Sequence, residues 1–179
     1  MTTYIALFRG INVGGRNMLP MKDLKLLLEA EGCTDVKTYI QSGNAILRTK
    51  LTDSGRLAKR IAAAVAKGHG FEPRVLLRSV SDLESAIKAN PFPEADAQPK
   101  SLHLFFLDAI PKSADWTGFD AIKTETERFK LVGDVLYLYT PDGFGISKLA
   151  AKAEKLLGVA ATARNWRTVT TLHEMASQY

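Results

Sequence analysis

The fold of the N-terminal half is decided by residues 3–20, which read TYIALFRGINVGGRNMLP. Thr3 to Arg9 are rich in apolar, aromatic and β-branched residues, a composition typical of a strand. The segment from Gly10 to Asn17 is glycine-rich and polar, and Pro20 suits the first turn of a helix. The stretch therefore predicts a strand, a wide loop and a helix, in that order.

The flanking sequence completes a recognisable module. The patterns predict a turn at residues 41–44, helices that begin near Pro20 and Asp53, and strands at residues 34–40, 45–49 and 72–78. The order is then β-α-β-β-α-β, which is that of a ferredoxin-like fold. We expect residues 1–79 to form this ferredoxin-like α+β module.

Residues 80–179 have mixed content as well. We predict helices at residues 81–89 (capped by Ser81), 147–157 and 164–176 (capped by Thr162), a strand at 101–107 and a hairpin at 127–140. Residues 111–119 are expected to be irregular, with room for a short helical turn. The expected architecture is therefore α+β, with a ferredoxin-like first domain at 1–79 and a second, smaller α+β domain at 80–179 that ends in helices.

Composition narrows the function classes. The 179 residues carry 46% hydrophobic side chains and one cysteine, which excludes a disulfide framework and a cysteine-based zinc site. The three histidines, His69, His103 and His173, lack ligand spacing, so we predict no metal and no cofactor. Neither a signal peptide nor a membrane-spanning stretch is recognisable, which leads us to expect a cytoplasmic protein with no membrane partner. A net charge of +5 favours anionic partners, although the basic residues are scattered.

Chain order predicts which loops lie together. Right-handed crossovers place residues 10–17, 41–44 and 68–70 at one end of the first sheet. These polar, glycine-containing segments are the strongest indication of a site in the sequence.

The first loop resembles a phosphate-binding loop only in part. Gly10 and Gly15 have the spacing of a Walker A motif, but Arg16 and Asn17 stand where lysine and serine or threonine are needed. These substitutions argue against a P-loop nucleoside triphosphatase. Two interpretations stay open: backbone N–H groups and Arg16 hold an anion, or the glycines only permit positive φ angles.

Three further patterns have both a structural and a functional interpretation. Gln41-Ser42-Gly43-Asn44 is either a simple hairpin turn or a ligand contact. Lys148, at a predicted helix start, fits a phosphate contact or a surface position. Arg164, also placed near a helix start, fits an anion contact or an ion pair between the two halves. An RNA-recognition module would need aromatic residues on both central strands; Tyr4 and Phe8 lie on the first, but residues 44–49 contain none.

Four motifs together resemble one bacterial family. They are residues 8–15 (FRGINVGG), 39–44 (YIQSGN), 147–149 (SKL) and 162–169 (TARNWRTV), and the family is catalogued as domain of unknown function sixteen-ninety-seven. The resemblance covers nearly the whole chain. It implies a small cytoplasmic bacterial protein with two α+β halves, the first ferredoxin-like, and it implies no established activity.

Our leading hypothesis is a binding protein for a phosphate-bearing or other anionic small ligand. The candidate ligand-binding residues are Arg9, Asn12, Gly14, Gly15, Arg16, Gln41, Ser42 and Asn44, with Lys148 and Arg164 from the second half. The alternatives are a nucleic-acid-binding module and a protein-interaction or self-association domain. No residue forms a recognisable nucleophile or acid–base pair, so the sequence assigns no enzymatic activity and no oligomeric state.

Overall fold

The computed structural model describes all residues from Met1 to Tyr179. Its elements follow in the order β1 (Thr2–Arg9), α1 (Met21–Ala30), β2 (Thr34–Tyr39), β3 (Asn44–Thr49), α2 (Ser54–His69), β4 (Arg74–Ser79), α3 (Val80–Lys88), β5 (Leu102–Leu107), α4 (Trp116–Ile122), β6 (Arg128–Val132), β7 (Val135–Tyr139), α5 (Lys148–Leu157), β8 (Ala161–Asn165) and α6 (Trp166–Ala176). Short 3₁₀ turns occupy Pro93–Asp96 and Phe144–Ile146. The protein is α+β, as its sequence predicts.

The chain divides into two compact units. Unit 1 contains residues 1–84 and 172–179, and unit 2 contains residues 85–171. The C-terminal residue contacts β2 of unit 1. The Tyr179 hydroxyl donates to the carbonyl of Asp35 at 3.0 Å, and Lys37 Nζ lies 4.7 Å from the centre of the Tyr179 ring. The domain boundary inferred from the sequence, between residues 79 and 80, stays a prediction.

Unit 1 contains one antiparallel sheet with the strand order β2-β3-β1-β4. Pairing of β1 places Ile5 opposite Ile46 of β3 and opposite Arg78 of β4. This order and the two crossover helices define the predicted ferredoxin-like module. It also follows that the β1–α1 connection and the β2–β3 turn lie at the same end of the sheet.

The core of unit 1 lies between the sheet and its two helices. Alternate residues of β1, namely Tyr4, Ala6 and Phe8, pack in one cluster with Leu24 and Leu28 of α1 and with Leu57, Ile61 and Val65 of α2. The apolar stripes on these helices recur at helical spacing, so each helix buries one face. Asp53 caps α2 by accepting from Arg56 N at 2.9 Å, and Gly70 ends it in the left-handed conformation.

Unit 2 has the same topology, which its sequence did not reveal. Its elements β5-α4-β6-β7-α5-β8 again follow the β-α-β-β-α-β order, and the strand order β6-β7-β5-β8 matches that of unit 1 position by position. Its core is a cluster that includes Phe105, Leu107, Phe119, Leu149 and Leu157. The protein thus contains two ferredoxin-like sheets.

Two local predictions in the second half were wrong, and a third was incomplete. Residues 161–165, expected to lead into a helix capped by Thr162, form β8, and Asn165 caps α6 instead by accepting from Thr168 N at 2.8 Å. Ser79, not Ser81, caps α3 through a reciprocal pair of hydrogen bonds with Asp82. Where the sequence left room for only a short helical turn, the structure has the seven-residue helix α4, which is capped by Asp115 and continues to Ile122. None of the helices has the length and apolar character that crossing a membrane requires.

Candidate functional site

The glycine-rich loop is a miniature β-hairpin. Asn12 N donates to Asn17 O and Arg16 N donates to Val13 O, each at 3.0 Å, and Val13 and Arg16 form an antiparallel bridge. Gly14 and Gly15 make the tip with φ angles of 57° and 75°, which the type I′ turn of a two-residue hairpin requires. Because α1 begins only at Met21, the glycines do not lead directly into a helix N-terminus as they do in a P-loop.

The side chain of Asn12 holds this hairpin in place. Its Nδ2 donates to the carbonyls of Leu19 and Gln41, both at 2.9 Å, while its Oδ1 accepts from Leu19 N at 2.8 Å. The residue itself adopts a φ of 53°, which asparagine tolerates better than most residues. Asn12 therefore joins the hairpin to the β2–β3 turn and has no donor left for a ligand.

Other asparagines of the predicted site also bind the backbone. Asn17 Nδ2 donates to Gly10 O at 2.8 Å. Asn44 is fully buried, and its Nδ2 donates to Tyr39 O at 3.1 Å and to Ser42 Oγ at 3.0 Å. These side chains shape the two loops from within.

A close approach of the backbone completes the link between the loops. Phe8 N donates to Gly43 O at 2.8 Å. A Cβ atom on Gly43 would lie 2.7 Å from Phe8 Cβ and 2.7 Å from Ile11 Cδ1, and the φ of this residue is 81°. Position 43 therefore needs glycine for space as well as for conformation.

Three large apolar side chains are exposed around this junction. Val13, Met18 and Ile40 are 67%, 57% and 50% exposed. Each is the chain neighbour of a residue in the Asn12 hydrogen-bond network, which brings their three backbone positions close together. Arg16 and Gln41 are exposed beside them. We call the exposed side chains of Val13, Arg16, Met18, Ile40 and Gln41 the loop-end surface.

Ile40 adopts an unusual backbone conformation. Its φ of 50° lies in the left-handed region, which a β-branched residue rarely enters. The surrounding hydrogen bonds, including the one from Asn12 to Gln41 O, hold the turn in this form. Conformations of this cost often mark functional positions.

Two other predicted features of unit 1 lie at the same end of the sheet. Arg9 is exposed at the end of β1 and is paired in register with Arg74 of β4. The third predicted loop follows the end of α2, where Gly70 N donates to Ala66 O at 3.0 Å. No hydrogen bond joins residues 68–70 to the hairpin or to the β2–β3 turn. The structure thus brings together two of the three loops.

The two candidates in unit 2 are placed apart. Lys148 is exposed at the first position of α5, where Ser147 Oγ caps the helix by accepting from Ala150 N at 3.0 Å. Arg164 follows Ala163, which packs on the cluster beneath α5, so Arg164 lies on the other face of the sheet. Its guanidinium donates to the carbonyl of Ala163 at 2.8 Å, and burial lowers its pKa to about 10. Lys148 and Arg164 therefore do not share a site.

The aromatic residues considered for RNA binding lie in the core. Tyr4 and Phe8 are 8% and 1% exposed and face the helices of unit 1. Stacking of bases on these rings would require the helices to leave the sheet. Val13, Met18 and Ile40 are not among the site residues predicted from the sequence. Large apolar side chains in or beside polar, glycine-containing loops are nevertheless a signal that the sequence contains.

The fold and the loop-end surface define a class of protein: a tandem of ferredoxin-like sheets with a rigid hairpin inserted after its first strand. The chain belongs to the family described as "Protein of unknown function (DUF1697)", whose model matches residues 1–137. A structure titled as that of the conserved bacterial protein SP0830 from Streptococcus pneumoniae is similar, with a TM-score of 0.77 and 20% identity over 98% of each chain. That likeness supports the fold alone. No curated protein matches the chain.

Proposed function

We propose that the loop-end surface of unit 1 binds a small ligand that carries a phosphate or another anionic group next to an apolar group. The observation that carries this proposal is the bridge between Val13 and Arg16. Residues paired across two strands present their side chains on the same face. A cation and an aliphatic side chain therefore stand side by side at the tip of the hairpin.

The charge of the surface supports an anionic ligand. The segments 10–20 and 40–44 contain Arg16 and no aspartate or glutamate. Arg16 makes no ion pair or side-chain hydrogen bond within the protein. Its planar guanidinium can bind two oxygens of a phosphate or carboxylate at once. The backbone N–H groups of Gly14 and Gly15 lie at the same tip.

The rigidity of the loops supports binding as well. A ligand that meets a preformed surface does not have to order it, which saves the entropy that flexible loops lose on binding. Asn12, Asn44 and Ser42 contribute in this way, by fixing the loops rather than by touching the ligand. Gln41 supplies a directional amide, and Val13, Met18 and Ile40 contact the apolar part. Arg9 lies at the margin, and Lys148 and Arg164 take no part.

A thermal-shift series tests this proposal. The probes are inorganic phosphate, a nucleoside monophosphate and hexyl phosphate at equal ionic strength, because a ligand at about 100 times its Kd adds about 2.7 kcal/mol of stability. We expect the two organic phosphates to raise Tm more than inorganic phosphate. Arg16→Ala should reduce all three shifts, whereas Val13→Ser should remove only the advantage of the organic phosphates.

Arg56→Ala is the matched control, because Arg56 is an exposed arginine in the first turn of α2, at the opposite end of the sheet. It should leave every shift unchanged. Equal shifts in the wild type and the Arg16→Ala variant would refute the proposal, and so would the absence of any shift.

Self-association is a second candidate, favoured by the exposure of Val13, Met18 and Ile40. Clustered apolar side chains on a surface are typical of contact sites between proteins. Sedimentation velocity over a range of concentrations should then show a dimer that Val13→Ser weakens. A monomer at every concentration removes this candidate.

A further inference from the structure

Unit 2 contains a cleft that the sequence analysis did not predict, although one of its lining residues, Arg167, belongs to the 162–169 motif. It has a volume of about 280 Å³ and lies at the end of the sheet where β5 begins, β7 ends and α6 begins. Its lining includes Gln98, Lys100, Ser101, Thr140, Gly143 and Arg167. The volume is close to the lower end of the range for small-molecule sites in proteins.

The floor of the cleft is fixed by hydrogen bonds. Thr140 N donates to Ser101 O at 2.7 Å, Ser101 N donates to Gln98 O at 2.9 Å, and Gly143 N donates to Thr140 O at 3.1 Å. Ser101 and Thr140 are 6% and 1% exposed. The cleft therefore keeps its shape without a ligand.

Two cations line this cleft. Lys100 and Arg167 are both exposed, and neither makes an ion pair or a side-chain hydrogen bond. Arg167 also lies in the first turn of α6, where the positive end of the helix dipole adds to its charge. Two like charges beside the same cleft repel each other, and a bound anion relieves that repulsion.

The nearby acids are engaged away from these cations. No aspartate or glutamate lines the cleft. Asp96 accepts a hydrogen bond from Trp166 Nε1 at 3.0 Å, which also fixes the start of α6. Asp142 accepts from the Thr126 hydroxyl. Neither carboxylate forms an ion pair with Lys100 or Arg167, so both cations remain available to a ligand.

We propose that this cleft binds the oxyanion group of a small phosphate- or carboxylate-bearing molecule. Arg167 and Lys100 would each donate charge-assisted hydrogen bonds to it. The buried hydroxyls of Ser101 and Thr140 already donate to backbone carbonyls, so they shape the floor. This cleft belongs to unit 2, whereas the loop-end surface belongs to unit 1. The two proposals can therefore be tested independently of each other.

The test is a titration of the full-length protein, labelled with ¹⁵N, with inorganic phosphate and separately with acetate at constant ionic strength. We expect saturating amide shifts at Ser101, Gly143 and Arg167, and the anion with the lower Kd identifies the preferred oxyanion. Arg167→Ala should weaken binding by about fivefold or more, the effect of losing one charge-assisted hydrogen bond. Arg167→Lys should restore part of it.

Lys152→Ala is the matched control in this unit, because Lys152 is an exposed cation of α5 that is not part of the cleft lining. It should leave the Kd unchanged. Shifts that fail to saturate, or that are equal in Arg167→Ala and the wild type, would overturn the proposal. Shifts confined to Gly14 and Gly15 would also overturn it while supporting the proposed function of unit 1.

Discussion

His103 should make the stability of unit 2 depend on pH. Its ring lies in β5 and stacks on Phe144 with 3.7 Å between ring centres, and its Nδ1 is buried without a hydrogen-bond partner. Burial lowers its pKa from 6.5 to about 4. Burial favours the neutral imidazole because the charged form loses its hydration.

The sign of the effect follows from proton linkage. Between pH 6.5 and pH 4 the unfolded chain protonates His103 and the folded chain does not. The stability that this residue contributes is therefore complete above pH 6.5 and is lost progressively as the pH falls towards 4. With these two pKa values, lowering the pH from about 7 to about 5 costs about 2 kcal/mol.

The variant His103→Phe keeps an aromatic ring against Phe144 and removes the titration. Urea denaturation at a series of pH values should show that the wild type loses about 2 kcal/mol more than this variant over that interval. Carboxylates titrate in both proteins, so the difference between them isolates His103. A direct NMR titration should place the midpoint of the His103 ring near pH 4. A midpoint near 6.5, or parallel stability curves for the two proteins, would refute this account of the buried ring.

The remaining predictions concern the loops of unit 1 and are read from urea denaturation at pH 7. Gly43→Ala should destabilise by about 2–4 kcal/mol, because its Cβ would lie 2.7 Å from Phe8 Cβ at a positive φ; a loss below about 1 kcal/mol contradicts the close approach. Ile40→Asn should stabilise by about 1 kcal/mol, because asparagine tolerates the left-handed conformation, and should weaken organic phosphate binding; a loss of stability would show that Ile40 is not strained. Asn12→Ala should lower the free energy of unfolding by about 2–3 kcal/mol, since it removes three hydrogen bonds, including both to Leu19. An unchanged denaturation midpoint would mean that these hydrogen bonds do not stabilise the loops.

The fold of unit 1 was predictable because its local signals agree. Strong strand formers, an aspartate cap at Asp53 and glycine at the helix ends all favour the same order of elements. In unit 2 the signals conflict. Residues 161–165 read ATARN, and the small side chains of Ala161 and Ala163 have little intrinsic preference for a strand. Pairing with β5 decides their conformation, and that contact is not visible locally.

The length of helix α4 was underestimated for a related reason. Gly118 lies within it, and glycine in a short segment suggests a break. In the structure, a Cβ at this position would lie 2.5 Å from Asp115 Oδ2 and 2.7 Å from Leu156 Cδ2. The glycine permits the helix cap and the close packing against α5. Sequence alone does not distinguish this use of glycine from a flexible loop.

The positions of the candidate-site residues were predictable from the sequence, but the structural roles of their asparagines were not. Chain order placed Gly10–Asn17 beside Gln41–Asn44, and the hydrogen bond from Asn12 to Gln41 O shows that they meet. An asparagine in a loop has the same appearance in sequence whether it faces a ligand or the backbone of its own loop. The direction of its amide depends on φ and on neighbours brought together only by folding.

The two units differ in the connection that follows their first strand and not in the topology of their sheets. Both sheets have the same strand order, and the bond from Phe8 N to Gly43 O has its counterpart from Leu107 N to Asp134 O at 2.9 Å. In unit 2 the connection at residues 108–115 contains aspartates, no glycine and no miniature hairpin. Ferredoxin-like sheets carry many functions, so a structural likeness at 20% identity is informative about the sheets. The Val13–Arg16 hairpin and the Lys100–Arg167 cleft are the two places where ligand binding by this protein is to be tested.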